Sequence, residues 1–444
     1  MKKGLKLRDY QQTDLLFHLK QKKSMNLSEP STGKTPTADC FIEATSYLGQ
    51  VAFIMPNSLV SQNLEKLKDW TNFKDEEIEV ITGKTPAKRE AAYANTKAKV
   101  FICSFSTFAK EWSKIPNLNS IVIDEFHMGY STNDSKRTQG YYQAALKCEY
   151  LLILTGTLID GRLSSAYPAI HTVEPRYYSS YGHFFNTHAV TDIWGGIIDW
   201  RGHDRITEIL KRHSVRHTTA EVYAGAPQPI VIPEKCNIDP KHEAAYKEFE
   251  KNALLELEDK WLDDSGSGGV HQLRCRQILS CPDSIDLQIK GELGKDEMLK
   301  VHLEDAINTG KPLILFSIFN AEQNRILELC SDLKIKAAVM NGMTSAAKRA
   351  EIDTQFKAGD LQVIIGSPDV MSVGFDWEHV DTIVFVSVNY RDSSWIQGIR
   401  RADRGTRTYP LIVYRLYYPV AVEYRMWEII QQKISNNQKV MLGV

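Results

Sequence analysis

Short, uninterrupted apolar runs leave few folds open to this 444-residue chain. Between residues 24 and 154 they alternate with stretches of helical period, and the runs are VAFIM (51–55), VFIC (100–103), IVI (121–123) and LLIL (151–154). A strand that is apolar at every position must be buried on both faces, as in a parallel sheet covered by helices on each side. The first part of the chain therefore predicts an α/β domain built on a parallel sheet.

The same rhythm starts again in the last third of the chain. The runs there are LILF (313–316), KAAV (336–339), VII (363–365), TIVF (382–385) and LIVY (411–414). They are again separated by segments of helical period. The sequence therefore predicts two tandem α/β domains, each with a parallel sheet.

A segment of different composition lies between the two series of runs. Residues 241–262 are rich in Glu, Lys, Leu and Ala and have the spacing of an amphipathic helix, and DDSGSGG (263–269) predicts a mobile loop. We therefore interpret this region as a helical bridge and not as a third core. The predicted domains are 1–225, a bridge over 226–295, and 296–444.

Charge and composition exclude several classes of protein. The chain has 54 Lys plus Arg against 55 Asp plus Glu, so it is not a polycation that binds nucleic acid through bulk charge. Its apolar runs are far shorter than the ~18 residues of a membrane-spanning helix, and the N-terminus lacks the apolar region of a signal peptide. Seven scattered cysteines without CxxC spacing predict reduced, buried thiols and a cytoplasmic location.

The segment SEPSTGKT (28–35) fits the pattern of a phosphate-binding loop, except that Ser28 stands where the first glycine is usual. In such a loop backbone N–H groups around Gly33 cradle phosphate oxygens, Lys34 reaches the β- and γ-phosphates, and the Thr35 hydroxyl binds Mg²⁺. The alternative is a GKT sequence that occurs by chance in a polar turn.

A second motif follows the apolar run 121–123, where the chain continues as DEFH (124–127). An acidic pair at the carboxyl end of a buried parallel strand is costly unless it serves a ligand, and α/β ligand sites lie at those strand ends. Asp124 would bind Mg²⁺, and Glu125 would orient or deprotonate the attacking water. An exposed helix cap is the alternative for the pair alone, but both motifs together indicate ATP hydrolysis.

These motifs carry a resemblance to a known superfamily. The phosphate loop, the DExH box, the LTGT segment (154–157) and QGIRRADR (397–404) look like motifs of a superfamily 2 helicase or translocase. The resemblance covers about residues 5–430. It implies two tandem RecA-like domains, with ATP and Mg²⁺ as ligands.

Further segments resemble the Swi/Snf-type branch of this superfamily. They are LRDYQ (7–11), residues 52–70, SFSTF (104–108), residues 124–138, the basic stretch with Arg212, Arg216 and His217, and LRCRQI (273–278). Four positions depart from the branch: Ser28 and Ser31 replace an acidic residue and a glycine, Pro368 replaces a threonine, and Asp403 replaces a histidine. The length leaves no room for the accessory domains of larger relatives, so we expect a compact motor.

The resemblance implies a role for individual residues of the ATP site. Catalysis would rest on Lys34, Asp124, Glu125, Arg401 and Arg404, with Arg404 as the principal arginine finger and Arg401 as its partner on the γ-phosphate. Nucleotide contacts would come from Gln11, which would read the adenine edge, and from Glu29, Ser31, Thr32, Gly33, Lys34, Thr35, Gly374, Asp376 and Gln397. Thr35 and Asp124 would bind Mg²⁺, and His127, Thr155 and Thr157 would couple the site to movement.

The arginines follow a helical spacing. Gln397, Arg401 and Arg404 are four and three residues apart, so on a continuous helix they would share one face. A guanidinium suits this role because its charge is permanent and its planar fork matches phosphate oxygens. Arg391, Arg400 and Arg407 are equally compatible with a solvated surface.

The resemblance also implies a nucleic-acid track that crosses both domains on the side facing away from the phosphate loop. Its candidates are Ser58, Gln62, Ser104 and Thr107 in the first domain, and Asn341, Gly342, Arg349, Ser367 and Asp369 in the second. Most of them are uncharged, which suits contacts to phosphate and sugar that form and release in each cycle without reading sequence.

Three functional hypotheses remain open at this stage. The leading one is a monomeric ATP-dependent motor on double-stranded or branched DNA, used in replication, recombination or repair. The alternatives are an RNA-directed helicase and an ATP-dependent switch or clamp that acts on a protein partner. A metal site at His271, Cys275 and Cys281 is disfavoured, because a fourth ligand at standard spacing is missing.

Overall fold

A computed structural model of the protein describes Lys2 and residues 4–159, 163–192, 196–262, 270–285, 292–371 and 374–442. The chain divides into two compact units. The first contains the residues up to Val222 together with those from Asn436 onward, and the second is Tyr223–Ser435. The DDSGSGG segment, for which the sequence predicts a mobile loop, lies outside the described residues.

The first unit alternates strands and helices. Its strands are β1 (Lys23–Asn26), β2 (Gln50–Met55), β3 (Ile78–Val80), β4 (Val100–Ser104), β5 (Leu118–Ile123), β6 (Tyr150–Leu154), β7 (Ala189–Thr191), β8 (Ile197–Trp200) and β9 (Ser214–Val215). Its helices are α1 (Asp9–Gln21), α2 (Lys34–Thr45), α3 (Val60–Trp70), α4 (Pro86–Tyr93), α5 (Phe105–Glu111), α6 (Phe126–Gly129), α7 (Lys136–Lys147), α8 (Tyr167–Val173), α9 (Tyr181–His188), α10 (His203–His213) and α11 (Thr219–Val222). Short 3-10 helices lie at Asn57–Leu59, Asp75–Glu77, Trp112–Lys114 and Leu163–Ala166.

The main sheet of the first unit has the strand order β3-β4-β2-β5-β6-β1-β9 over the described residues, and all of these pairings are parallel. The carboxyl ends of its strands therefore meet at one edge, where ligand sites of such sheets lie. Strands β7 and β8 form a separate antiparallel pair. The four apolar runs predicted as strands in this part of the chain are β2, β4, β5 and β6.

The second unit repeats this alternation. Its strands are β10 (Ile230–Lys235), β11 (Leu313–Phe316), β12 (Ala337–Met340), β13 (Val363–Gly366), β14 (Thr382–Phe385) and β15 (Ile412–Tyr417). Its helices are α12 (Pro240–Leu262), α13 (Val270–Ser280), α14 (Gly294–Thr309), α15 (Asn320–Asp332), α16 (Ala346–Ala358), α17 (Pro368–Met371) and α18 (Asp392–Ile399), with a 3-10 helix at Pro282–Ile285. The last helix, α19 (Ala421–Leu442), belongs to this unit up to Ser435. The residues of α12 and α13 that are buried, such as Tyr246 and Cys275, pack into the same core as Leu299 of α14.

The second sheet has the order β10-β15-β14-β11-β13-β12 over the described residues, and its strands are all parallel. Successive side chains of β11 enter different cores, because Leu313 and Leu315 face one cluster while Ile314 and Phe316 face the other. This alternation shows that the strand is buried on both faces, as its uninterrupted apolar run requires. The predicted fold of two parallel-sheet α/β domains is confirmed.

All seven cysteines are buried thiols, as their scattered spacing predicts. Burial raises the pKa of the Cys103 thiol to about 12 and that of Cys330 to about 12, so these thiols stay protonated. In the part of the chain that the structure describes, no helix is long and apolar enough to cross a membrane.

Candidate functional site

The phosphate loop connects β1 to α2 at the carboxyl edge of the first sheet. Gly33 precedes the helix with φ 82, and a Cβ atom at this position would lie 2.5 Å from Nε2 of Gln11. Lys34 Nζ donates to the backbone carbonyls of Ser28 at 2.6 Å and of Glu29 at 2.9 Å. The loop therefore has the glycine, the helix N-terminus and the inward lysine that a phosphate cradle requires.

Ser31 explains one departure from the family pattern. Its φ is 68, in the left-handed region that favours glycine, so the backbone at this position keeps the conformation that the usual glycine would adopt. A serine in the left-handed region is less stable than a glycine there by of order 1 kcal/mol, so contacts elsewhere in the fold must offset this free energy. The loop therefore holds a serine in a conformation that glycine adopts without strain.

Helix α1 fixes the loop from one side. The Tyr10 hydroxyl donates to the carbonyl of Thr32, and Gln11 Nε2 donates to the carbonyl of Gly33 at 2.9 Å. The other end of the Gln11 amide accepts from the backbone N–H of Arg8 at 2.8 Å. The contact of Gln11 with adenine stays a prediction, and the structure adds that its side chain is buried against the phosphate loop.

A second support comes from the end of the first unit, where β9 pairs with β1. The backbone N–H of His217 donates to Ser28 Oγ at 3.0 Å, and the N–H of Thr219 donates to Glu29 Oε2 at 3.0 Å. His217 Nε2 lies 3.0 Å from Asp14 Oδ1 on α1. We call residues 214–219 the bracing segment, because they hold both the phosphate loop and α1.

The sequence of this stretch carries a family resemblance but does not indicate a contact with the phosphate loop. The supporting roles of Tyr10, Asp14 and Thr219 appear only in the folded structure. Burial raises the pKa of Asp14, and the hydrogen bond with His217 opposes that rise. The Glu29 carboxylate, which was assigned to the nucleotide, is engaged here by the protein's own backbone.

The acidic pair follows β5, which is separated from β1 by β6 in the sheet. Asp124 Oδ2 accepts from Asn63 Nδ2 of α3 at 2.9 Å, and its Oδ1 accepts from the backbone N–H of Glu125 at 3.0 Å. Burial, and then the negative charge of Glu125, raises the pKa of Asp124. Glu125 has φ 50, and this strained backbone is typical of residues held for a function. The sequence gives no signal for Asn63, because its contact is with a residue that lies 61 positions further along the chain.

The residues predicted to couple the site to movement lie next to this pair. His127 Nδ1 is 2.9 Å from Thr155 Oγ1, and Thr155 Oγ1 accepts from the backbone N–H of Thr157 at 3.1 Å. His127 Nδ1 also lies 3.6 Å from Glu125 Oε2. The structure therefore brings the predicted coupling residues into contact with the acidic pair.

The donor set can be tested for Mg²⁺. Thr35 and Asp124 offer a hydroxyl and a carboxylate, and oxygen atoms are the ligands that Mg²⁺ prefers. Burial and the charge of Glu125 raise the pKa of Asp124 although Asn63 and the backbone N–H of Glu125 donate to it, and a divalent cation beside this carboxylate would favour its charged form. These residues fit a magnesium ion bound together with phosphate oxygens.

The second unit assembles its own group of predicted ATP-site residues. Arg401 Nη1 donates to the carbonyl of Phe375 at 3.1 Å, and Arg404 Nε donates to Asp376 Oδ1 at 3.0 Å. Arg401 Nε also donates to the carbonyl of Gln397 at 3.2 Å. Gly374, with φ 85, begins the segment that these arginines contact.

The helical explanation for this grouping is wrong. Helix α18 ends at Ile399, so Arg401 and Arg404 lie in the turn and loop that follow it. The backbone N–H of Trp377 donates to the carbonyl of Arg401 at 2.9 Å, which holds the turn against the 374–377 segment. The arginines therefore converge through contacts with Phe375 and Asp376 and not through a common helix face.

The neighbouring arginines have separate roles. Arg400 Nη1 donates to Asp403 Oδ2, so the aspartate that replaces the family histidine pairs within its own turn. Arg407, for which a solvated surface was an open alternative, is buried. Its guanidinium donates to the carbonyls of Glu378, Val380 and Ala402 and to Asp381 Oδ1 at 2.8 Å.

Replacing Arg407 with alanine should destabilise the second unit by about 3–5 kcal/mol, because it leaves three carbonyls without their guanidinium donor and removes the buried partner of the partly exposed Asp381 carboxylate. Chemical denaturation measures this change. Lys311→Ala is the matched control, since Lys311 reaches the same Asp381 at 3.0 Å from an exposed position. It should cost less than about 1 kcal/mol, and equal losses for the two variants would contradict a buried structural role for Arg407.

The predicted nucleic-acid residues of the first unit lie after β2 and β4, which are neighbours in the sheet. Ser58 is exposed in the 3-10 helix after β2, and Gln62 is half-buried on α3. Ser104 caps α5, and its hydroxyl donates to Thr107 Oγ1 at 3.0 Å. The structure therefore places these residues after the carboxyl ends of adjacent strands, at the sheet edge that also carries the phosphate loop, and not on the side facing away from that loop as the resemblance implies.

The corresponding residues of the second unit follow β12 and β13, which are also neighbours. Arg349 Nη2 donates to the carbonyl of Asn341 at 3.0 Å, and Gly342 is exposed beside them. Ser367 follows β13, and Asp369 accepts from the Ser394 hydroxyl and lies 3.7 Å from Arg391 Nη1. These five residues again lie at one sheet edge.

Two family models match the sequence. The model of the SNF2-related domain matches residues 11–284, and that of the helicase conserved C-terminal domain matches residues 294–406. The first match alone covers more than half of the chain. It contains the phosphate loop and the acidic pair, and the second contains the arginines after α18.

Comparisons with individual proteins agree with these matches. The chain is 23% identical to chromatin remodeling factor mit1 of Schizosaccharomyces pombe, over 91% of this chain and 30% of the relative. It is 22% identical to the transcription regulatory protein SNF2 of Saccharomyces cerevisiae, over 90% of this chain and 26% of the relative. The chain thus spans about a third or less of the length of these curated relatives.

A solved structure supports the fold. The helicase domain of Hef from Pyrococcus furiosus superposes with a TM-score of 0.55 at 17% identity, and the match covers 95% of this chain and 98% of that domain. Its architecture agrees with the two parallel-sheet units found here. The chain therefore belongs to the SNF2-related family, the Swi/Snf-type branch of the superfamily 2 helicases and nucleic-acid-dependent ATPases.

Proposed function

We propose that this chain is an ATP-driven motor that moves on double-stranded or branched DNA. The observation that carries the proposal is the hydrogen bond from Asn63 to Asp124. Asn63 lies on α3 beside Gln62, a candidate contact to nucleic acid, while Asp124 belongs to the acidic pair of the ATP site. One short helix thereby links the two functions that a motor must couple.

The chemical step would be ATP hydrolysis at the edge of the first sheet. Lys34 and the N–H groups at the start of α2 would bind the phosphates. Glu125 would hold the attacking water and accept its proton, and Thr35 and Asp124 would hold Mg²⁺, which supplies positive charge to the phosphate oxygens. Arg404 and Arg401 would bind the γ-phosphate and stabilise the charge that develops on it.

Changes at the γ-phosphate would reach the track along two routes. His127 contacts both Glu125 and Thr155, so loss of the γ-phosphate can change the segment after β6. Asn63 connects Asp124 to α3. Both routes rest on a side chain that contacts the acidic pair and a second element at the same time: His127 contacts Thr155, and Asn63 contacts Met55 of β2.

The track would be the nucleic-acid backbone. The polar side chains at both sheet edges suit phosphate and sugar, and they carry little of the base-edge chemistry that reads sequence. A chain with 54 basic and 55 acidic residues would release the polyanion in each cycle more readily than a strongly basic one. We further propose that the motor works as a monomer in a reducing intracellular compartment, on branched DNA during replication, recombination or repair.

ATPase measurements on matched substrates test this proposal. The rate should rise with duplex, forked or four-way DNA and respond less to single strands or to duplex RNA of the same sequence. Forked and four-way junctions should be unwound or remodelled only when ATP is hydrolysed. Glu125→Gln supplies the control, because it should keep ATP binding while it removes hydrolysis.

Two results would contradict the proposal. An ATPase rate that no nucleic acid changes would favour a switch that acts on a protein partner. A rate that duplex RNA raises more than duplex DNA would favour an RNA-directed helicase.

A further inference from the structure

Met343 is the most exposed of the large apolar side chains in the described part of the chain, with 84% of its surface accessible. It lies in the turn that follows β12, between Gly342 and Thr344. A side chain this exposed contributes almost nothing to the core, because burial is the source of apolar stabilisation. Its sulfur lies 3.8 Å from Nδ2 of Asn320 on α15, and most of its apolar surface is left for a ligand that binds to the turn.

Hydrogen bonds fix the turn that carries Met343. The backbone N–H of Met343 donates to Asn341 Oδ1 at 3.0 Å, and the N–H of Asn341 donates to Thr344 Oγ1 at 3.1 Å. The N–H of Thr344 donates back to the Asn341 carbonyl at 3.1 Å, and Arg349 donates to the same carbonyl. The position of Met343 is therefore set in advance, so a ligand that buries it would not have to order the backbone.

The surroundings of Met343 are polar. Asn341, Thr344 and Arg349 offer the amide, hydroxyl and guanidinium groups that contact phosphate, and Ser367 follows the neighbouring strand at the same edge. In a nucleic-acid backbone the phosphates alternate with sugars, and the sugar is the apolar part. An apolar thioether that lies among phosphate-binding groups is thus suited to contact the sugar between two phosphates.

We propose that Met343 packs against the sugar of the bound strand and favours deoxyribose over ribose. This inference rests on the proposed function, and it assigns the choice between DNA and RNA to one side chain. Against deoxyribose the thioether would cover an apolar C2′ methylene. Against ribose it would cover the 2′-hydroxyl, the group by which proteins distinguish RNA from DNA, and would leave that hydroxyl without a hydrogen-bond partner.

The test compares duplex DNA with duplexes of the same sequence in which one strand, or both, is ribose. The readout is the concentration of each duplex that gives half of the maximal ATPase stimulation, and the ratio between RNA-containing and DNA duplexes measures the preference. Met343→Ser replaces the thioether with a hydroxyl that can bond to a 2′-OH. It should reduce the preference for DNA by about fivefold to tenfold. Met343→Leu keeps an apolar surface and should retain the preference.

Val301→Ser is the matched control, because Val301 is another exposed apolar residue of the second unit, on α14, with 58% of its surface accessible. It should leave the ratio unchanged. If DNA stimulates the ATPase but Met343→Ser has the same ratio as the wild type, the inference is wrong and the proposed motor stands. If no nucleic acid stimulates the ATPase of the wild-type protein, both the proposed function and this inference are wrong.

Discussion

Replacing Lys34 with alanine should reduce ATP hydrolysis by about 10³-fold or more. The loss should be the same whichever nucleic acid is added, and whether the protein is a DNA motor, an RNA-directed helicase or a protein-directed switch. The ammonium group would bind the β- and γ-phosphates, and alanine leaves their charge without a counterpart at the centre of the loop. In the structure Lys34 Nζ also donates to the carbonyls of Ser28 and Glu29. The variant should therefore bind ATP weakly as well as hydrolyse it slowly, and equilibrium nucleotide binding beside steady-state rates measures both.

A control for this prediction is Lys97→Ala. Lys97 is an exposed lysine of the same unit that pairs with Glu76 at 3.1 Å. The Lys97→Ala variant should hydrolyse ATP at the wild-type rate, since an exposed ion pair contributes little to stability. If Lys34→Ala kept more than about a tenth of the wild-type rate while its fold was intact, residues 28–35 would not be the phosphate site.

Replacing Arg404 with alanine should lower hydrolysis by about 10³ to 10⁵-fold, the range that an arginine finger contributes. ATP binding should be largely retained, because the phosphate loop that holds the nucleotide belongs to the first unit. Single-turnover hydrolysis, with nucleotide binding measured separately, tests this split. Arg404→Lys should recover little of the rate, because an ammonium group lacks the planar fork of a guanidinium.

The structure suggests a sharper control for Arg404. Its guanidinium donates to Asp376 Oδ1, so the substitution could act simply by freeing Asp376. Asp376→Asn removes the charge of that partner and leaves the arginine. Because Asp376 is itself a predicted nucleotide contact, both variants are compared at saturating ATP, where Asp376→Asn should lower the rate far less if the arginine itself stabilises the transition state. Equal losses for Arg404→Ala and Asp376→Asn would assign a structural role to the pair. Intact hydrolysis in Arg404→Ala would instead favour a protein-directed switch over a motor.

Much of the fold could be predicted because the strands of a doubly covered sheet are apolar at every position. Leu313–Phe316 and Thr382–Phe385 are strands with the bounds that their apolar runs suggest. The strands that were missed have mixed composition. Lys23–Asn26 reads KSMN and contains no apolar run. Ile230–Lys235 begins with IVI, the same three residues as the run 121–123, but Pro233 interrupts it and it lies at the edge of its sheet, inside the segment interpreted as a helical bridge.

The ATP-site motifs could be recognised because their chemistry requires certain residue types at short spacings. The helical assignment for Arg401 and Arg404 failed for a different reason. Spacing cannot show that α18 ends at Ile399, since the turn is held by Trp377 more than twenty residues earlier in the chain. Asn63 and Thr219 were missed for the same cause, because each acts on a residue that is distant in sequence.

The bracing segment has a consequence for how the first unit folds. The phosphate loop receives hydrogen bonds from His217 and Thr219, which lie almost two hundred residues further along the chain. Contacts of such high sequence separation close long loops and form late in folding. A nascent chain in which residues 28–35 have been synthesised but residues 214–219 have not therefore contains the phosphate-loop sequence without its folded conformation. Nucleotide binding then becomes a sign that the whole first unit has folded, so ATP would stabilise the finished unit and give no help to incomplete chains.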